Sequence, residues 1–170
     1  MLKLSEGMLL YHGSYCEVKT PALAKCADFK DFGKGFYLSD NFAQAYEMAR
    51  FKAELLGGVP LVTEFEFNES ILKGDDLKVL SFSAYSKEWA EFVFNNRTQE
   101  NQAQSHEYDI VVGPIANDRV GIQIRRFIEG DISFDTFLEK LKFMKGITFQ
   151  YYFGTQKAVE TLKNKGLCND

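Results

Sequence analysis

The chain has 170 residues, 45% hydrophobic and 26% charged, which excludes a disordered polar segment and suits one globular domain able to bury well over half of its unfolded surface. Twenty Lys and Arg stand against 24 Asp and Glu, a formal charge of -4 with no basic concentration, and this argues against a standing nucleic-acid interface. Three cysteines, Cys16, Cys26 and Cys168, lack a C-x-x-C spacing or a His cluster, so neither a structural zinc nor a disulfide framework is expected.

Read from the start, MLKLSEGMLLYHG has too short an apolar run for a signal peptide. No later run approaches the ~20 apolar residues that cross a bilayer, so the expectation is a cytoplasmic protein with no membrane partner. Residues 8 to 11 predict a short buried strand ending at His12-Gly13-Ser14. Residues 15 to 31, interrupted by Pro21, predict a loop. The segment 31 to 40, DFGKGFYLSD, sets two glycines beside an apolar burst, and Ser39 or Asp40 is expected to cap a helix with apolar positions from Phe42 to Leu56, stopped by Gly57-Gly58. A strand is expected at 61 to 67, a helix carrying Trp89 at 88 to 94, a polar surface loop at 96 to 108, and a strand at 109 to 113 before Pro114. Helices are expected at 119 to 128 and 134 to 144, the second ended by Gly146. A strand over 147 to 153 follows, then a last helix capped by Thr155 and running to Gly166. Helices interspersed with short strands, without regular βαβ alternation, give an α+β fold in a single domain, 1 to 170.

Taken alone, a His after an apolar run is more often a structural residue than a catalytic one, and Gly33-x-Gly35 recurs in ordinary turns. The missing third glycine and the irregular alternation also argue against a Rossmann fingerprint. Taken together, however, Tyr11-His12-Gly13-Ser14 followed by Gly33-Lys34-Gly35-Phe36-Tyr37-Leu38-Ser39-Asp40 and a helix resembles the first two motifs of the His-Tyr-Glu branch of ADP-ribosyltransferases, which includes poly-ADP-ribose polymerases and diphtheria toxin. Over nearly its full length the chain is similar to an uncharacterised bacterial family in that superfamily, through those motifs, a Gly-Pro-Ile-Ala-Asn-Asp-Arg segment at 113 to 119 and a late strand opening with Gln.

The resemblance implies a split β-sheet core with flanking helices and NAD as substrate, with no metal. It implies that His12 bonds the ribose hydroxyls, that the Gly13 backbone meets the nicotinamide carboxamide beside Ser14, and that Tyr37, following Gly35-Phe36, stacks on the nicotinamide. Tyr46 would supply the opposite wall. The third motif departs from the family: Gln150 takes the position of a Glu that binds the nicotinamide ribose and stabilises developing positive charge, and an amide carries no charge and is no base. Asp118 and Glu160 are candidate replacement bases, each also read as an ordinary helix-end charge. Arg97 and Arg119 are candidates for holding pyrophosphate, or are solvated surface.

Three readings follow. The first is an enzyme that cleaves NAD and passes ADP-ribose to a macromolecule, protein favoured over nucleic acid, or to water, as a bacterial toxin-type modifier does, with a regulatory protein partner. The second, favoured by Gln150, is a catalytically lapsed NAD- or nucleotide-binding sensor. The third is a structural partner protein in which both glycine segments are merely turns. Acceptor choice would lie in residues 15 to 31 and 96 to 108.

Overall fold

A computed structural model describes residues 7–98, 106–142 and 147–168. Seven strands form one mixed sheet in the order β4-β5-β6-β2-β1-β3-β7. In chain order they are β1 (Met8–Ser14), β2 (Phe36–Ser39), β3 (Leu61–Phe67), β4 (Val79–Ser81), β5 (Ile110–Pro114), β6 (Phe149–Phe153) and β7 (Lys163–Leu167). Only β4 and β5 run parallel; the other neighbours are antiparallel. Five α-helices are present among the described residues: α1 (Phe42–Leu56), α2 (Lys87–Thr98), α3 (Asp118–Ile128), α4 (Phe134–Lys142) and the single turn α5 (Gln156–Val159). The architecture is α+β, and no helix among the described residues is long and apolar enough to cross a membrane.

Strand alternation sorts the core into two layers. Leu10, Phe36, Leu38, Phe65, Phe67 and Phe153 fill one face, under α5 and two 3-10 turns at Leu23–Lys25 and Glu69–Lys73. On the other face Phe32, Trp89, Val111, Phe137 and Tyr152 pack beneath α2, α3 and α4, while Ala45, Ala49 and Val62 form a smaller contact under α1. Burying a large aromatic side chain such as Trp89 or Phe153 contributes on the order of 2–3 kcal/mol.

Several boundaries differ from those expected. The cap of α1 is Asn41, whose side chain accepts from Gln44 N at 3.1 Å, because Ser39 is still in β2 and turns its hydroxyl to Asn41 N. Helix α1 does end at Gly57, in the left-handed region at φ 82°. Strand β1 extends through the His12-Gly13-Ser14 segment. Residues 96 to 98 belong to α2 rather than to a surface loop, and Asn96 is buried. The largest correction concerns the last helix. Thr155 caps it as expected, but it lasts one turn, and Lys163–Leu167 becomes β7 on the outside of β3. Pairing with an available strand edge overrides local propensity here. The Gly146 stop and the end of the expected 134-to-144 helix lie outside the described residues, as does most of the expected 96-to-108 loop.

The seven strands form one sheet, in which the pairing is uneven. β1 pairs with β3 continuously from Met8 opposite Phe67 to Ser14 opposite Leu61, and β2 pairs with β6 along its whole length. Between β1 and β2 a single registered pair, Tyr11 opposite Ser39, joins the two halves.

Candidate functional site

Beyond Tyr11 and Ser39 the two strands part, and the residues facing one another across the gap are those of the two glycine motifs. Val62, the partner of Gly13 on β3, gives its carbonyl to Cys168 N at 2.9 Å on the far side. Antiparallel alternation therefore turns the amide and carbonyl of Gly13 away from β3 and into the gap. Side chains supply what the ladder lacks: Lys52 Nζ of α1 donates to Gly13 O at 3.0 Å, and His12 Nδ1 lies 2.7 Å from Tyr37 O.

That second contact fixes the state of His12. Burial and the nearby Lys52 ammonium push its pKa down to about 3, so the ring is neutral near pH 7. A neutral imidazole facing a carbonyl oxygen must carry its proton on Nδ1, which leaves Nε2 as an acceptor. The ring is held flat by stacking on buried Phe36, with centroids 4.2 Å apart. Its chemistry is thus to accept a hydrogen bond from a hydroxyl, and it does not act as an acid near neutrality.

Tyr37 lies elsewhere. Its ring is on the opposite face of the sheet from His12, packed edge-on against Tyr152 at 5.3 Å and alongside Phe32 at 6.3 Å. Its hydroxyl donates to Gly33 O at 2.6 Å and accepts from Phe32 N at 2.9 Å, and burial raises its pKa. His12 and Tyr37 therefore meet through the Tyr37 main chain, and their rings do not frame one slot. Tyr46 does not face Tyr37 either. It is exposed, stacks on Phe42, and lines a groove of about 260 Å³ with Pro60, Leu61 and Leu167 on the β3–β7 side of α1.

Gln150, opposite Ser39 on β2 and Gly113 on β5, opens into a polar junction. Its Nε2 donates to Asp31 Oδ2 at 2.7 Å; a carboxylate there requires the amide to present its NH2 group. The same oxygen accepts from Ala116 N at 2.9 Å, and Asp31 Oδ1 pairs with Arg97 at 2.6 Å. Arg97 also donates to Ala116 O, and Asn96 Nδ2 to Asp31 O at 3.2 Å. His106 Nε2 reaches Phe32 O at 2.6 Å. Five side chains, those of Tyr37, Asn96, Arg97, His106 and Gln150, and the Ala116 amide thus bind the backbone and carboxylate of residues 31 to 33, a loop outside the strands. Gln150 Oε1 takes no partner among the described residues, and no buried side-chain polar atom there is left unpaired, so this oxygen reaches solvent.

Arg97 is engaged through Nε and Nη2 by the Asp31 carboxylate and the Ala116 carbonyl, which fixes it at the junction. Arg119 and Asp118 are exposed at the start of α3 and make none of the junction or gap contacts described above. Glu160 is exposed at the end of α5, where Gln156 Nε2 lies 3.4 Å away. Two glycines have packing reasons of their own: a Cβ on Gly13 would overlap Ala45 O where α1 crosses β1, and one on Gly35 would overlap the Tyr152 ring. Ser14 is buried at the end of β1. Sequence reasoning passed over Asp31, Asn96 and His106. Asp31 opens the quoted DFGKGFY segment, and a charged residue flush against two aromatic residues and a glycine was the available signal. No group of three or more His, Cys, Asp or Glu among the described residues is placed to hold a metal ion.

A family profile described as "Protein of unknown function (DUF3990)" matches residues 8–164, which include both glycine motifs, the Asp31 junction and the parted strands. The chain belongs to the DUF3990 family. A search of curated proteins finds no match. The DUF3990 match runs from the first residue of β1 into β7, so the whole sheet lies within it apart from the last residues of β7.

Proposed function

We propose that this domain binds NAD with its nicotinamide end at the β1–β2 gap and transfers ADP-ribose to an acceptor, a protein in preference to a nucleic acid. The observation that carries the reading is the Gly13 main chain turned into an unpaired gap beside a neutral His12 whose Nε2 is an acceptor. A carboxamide needs one donor and one acceptor in line, which a glycine amide and carbonyl supply, and a ribose hydroxyl needs an acceptor. The carboxamide would replace Lys52 on Gly13 O. In the reaction the C–N glycosidic bond breaks, its electron pair leaves with nicotinamide, and the ribosyl carbon is captured by a nucleophile that gives up its proton.

Gln150, on the Tyr37 face of the sheet rather than the His12 face, offers its Oε1 as an acceptor at the third motif. Donation of its NH2 to Asp31 polarises the amide and makes Oε1 a better acceptor. Arg97 offsets the Asp31 charge, however, so little net negative potential reaches the site. Loss of one well-placed charged group costs roughly 3 kcal/mol of transition-state stabilisation. That offset favours the second reading, a nucleotide-binding domain without chemistry.

Thermal unfolding of wild type and His12→Ala with and without millimolar NAD tests the binding step. At 100 times its dissociation constant a ligand of the folded state adds about 2.7 kcal/mol. Stabilisation of wild type alone is the expected result, and equal behaviour of the two proteins overturns the assignment of His12. Chromatography of the same samples decides the second step: free nicotinamide above a buffer control establishes turnover, and stabilisation without it supports binding alone.

A further inference from the structure

Helix geometry brings a charge to the Gly13 main chain. Ala45, Ala49 and Lys52, spaced i, i+4 and i+7, share one face of α1, and the first two press so closely on Gly13 that a Cβ there would overlap Ala45 O. Lys52 reaches across from the next turn, and its Nζ donates to Gly13 O at 3.0 Å. The side chain is half-buried, and desolvation, followed by the Lys30 charge, lowers its pKa. No carboxylate pairs with it among the described residues, whereas Lys78 and Lys165 pair with Glu107 and Glu66. An ammonium has three donors, so two remain after Gly13 O is served. The other groups of the site supply no balancing charge: His12 is neutral, Gln150 is an amide, and the Asp31 carboxylate is paired with Arg97. A partly desolvated cation with spare donors beside a main-chain gap favours an acceptor that carries negative charge.

We propose that Lys52 makes the site select a pyridine ring bearing a carboxylate over one bearing a carboxamide, so that the dinucleotide bound most tightly is the nicotinate form of NAD. The proposal rests on the NAD reading above for the placement of the ring at the gap, and narrows its substrate. A carboxamide needs Gly13 O for its NH2 group and must displace Lys52 from it, which leaves the ammonium without that partner beside a pyridinium of like charge. A carboxylate has no donor and makes no claim on Gly13 O. It accepts from the Gly13 amide and from a spare Lys52 donor while the contact between Lys52 and Gly13 O stays in place. The same carboxylate is the counter-charge of its own pyridinium, which the uncharged Gln150 does not supply.

The test is calorimetric titration of the folded protein with NAD, its nicotinate analogue and ADP-ribose, using wild type, Lys52→Met and Lys52→Gln. Lys52→Gln keeps a donor for Gly13 O without a charge, so it carries the comparison if Lys52→Met proves unstable in thermal unfolding. Wild type should bind the nicotinate form about tenfold more tightly than NAD, and both more tightly than ADP-ribose, with the preference for nicotinate lost in both variants. NAD binding to wild type as tightly as the nicotinate form, or a preference that survives in Lys52→Gln, overturns the selectivity. In either case the NAD reading stands as long as NAD binds more tightly than ADP-ribose. If the three ligands bind wild type alike, or none binds, the ring placement at the gap falls and the selectivity falls with it.

Discussion

Two polar regions, the Asp31 junction and the β1–β2 gap, lie on either side of β2, and they solve the same problem in opposite ways. At the junction the loop is matched inside the chain: Asp31 takes Arg97, Ala116 N, Gln150 and Asn96, and Phe32 and Gly33 take His106 and Tyr37. At the gap the strands supply no ladder, and two side chains, His12 and Lys52, stand in for it. A closed network fixes a loop and resists substitution, whereas a backbone satisfied by a flexible lysine can exchange that partner for a ligand. Buried polarity alone therefore does not mark the functional region; replaceable polarity does.

The contrast can be broken most sharply at the junction. Asp31→Ala leaves Arg97, Ala116 N and Gln150 unmatched together, and a loss of about 3 kcal/mol or more is expected in urea unfolding. A loss below about 1 kcal/mol would show that the network does not hold the loop. Gly13→Ala tests whether the gap glycine is fixed by packing. The added methyl meets Ala45 O on α1, and about 1–3 kcal/mol of destabilisation is expected even without NAD present. A variant as stable as wild type would assign Gly13 to ligand binding alone.

Gln150→Glu restores the acid of the related transferases but sets it against Asp31. At pH 8 two carboxylates share the junction, and a deficit of about 1–2 kcal/mol relative to wild type is expected. Protonation relieves the repulsion, so the deficit should shrink at pH 5; denaturant titrations at the two pH values decide it. A further test concerns the acid profile and His12. Its folded pKa lies below the unfolded value, so between about pH 6.5 and pH 3 the unfolded chain holds the extra proton. Stability present above pH 6.5 is accordingly lost as the pH falls through that window, by at most about 1.4 kcal/mol per unit from this residue. His12→Asn, which keeps a donor for Tyr37 O, should flatten that part of the acid profile, and an unchanged slope would mean that the ring is charged in the folded state.

Much of the framework was legible in the chain. The apolar runs at Met8–Ser14, Leu61–Phe67, Ile110–Pro114 and Phe149–Phe153 form strands, and the periodic segments from Phe42, Asp118 and Phe134 form helices, because these patterns must bury one face or one stripe wherever they are placed. The short strands Val79–Ser81 and Lys163–Leu167 were not legible, since each is defined by the neighbour it pairs with rather than by its own composition. The sequence by itself brought His12, Gly13, Tyr37 and Gln150 to attention. Tertiary structure alone decided that His12 and Tyr37 lie on opposite faces, that Gln150 is tied to Asp31 from 119 residues away, that Arg97 is fixed at the junction, and that Lys52 reaches Gly13 from α1. The reason is range: periodicity reports which groups must be buried, whereas the partner of a buried polar group is set by loops and helices that fold back from distant parts of the chain.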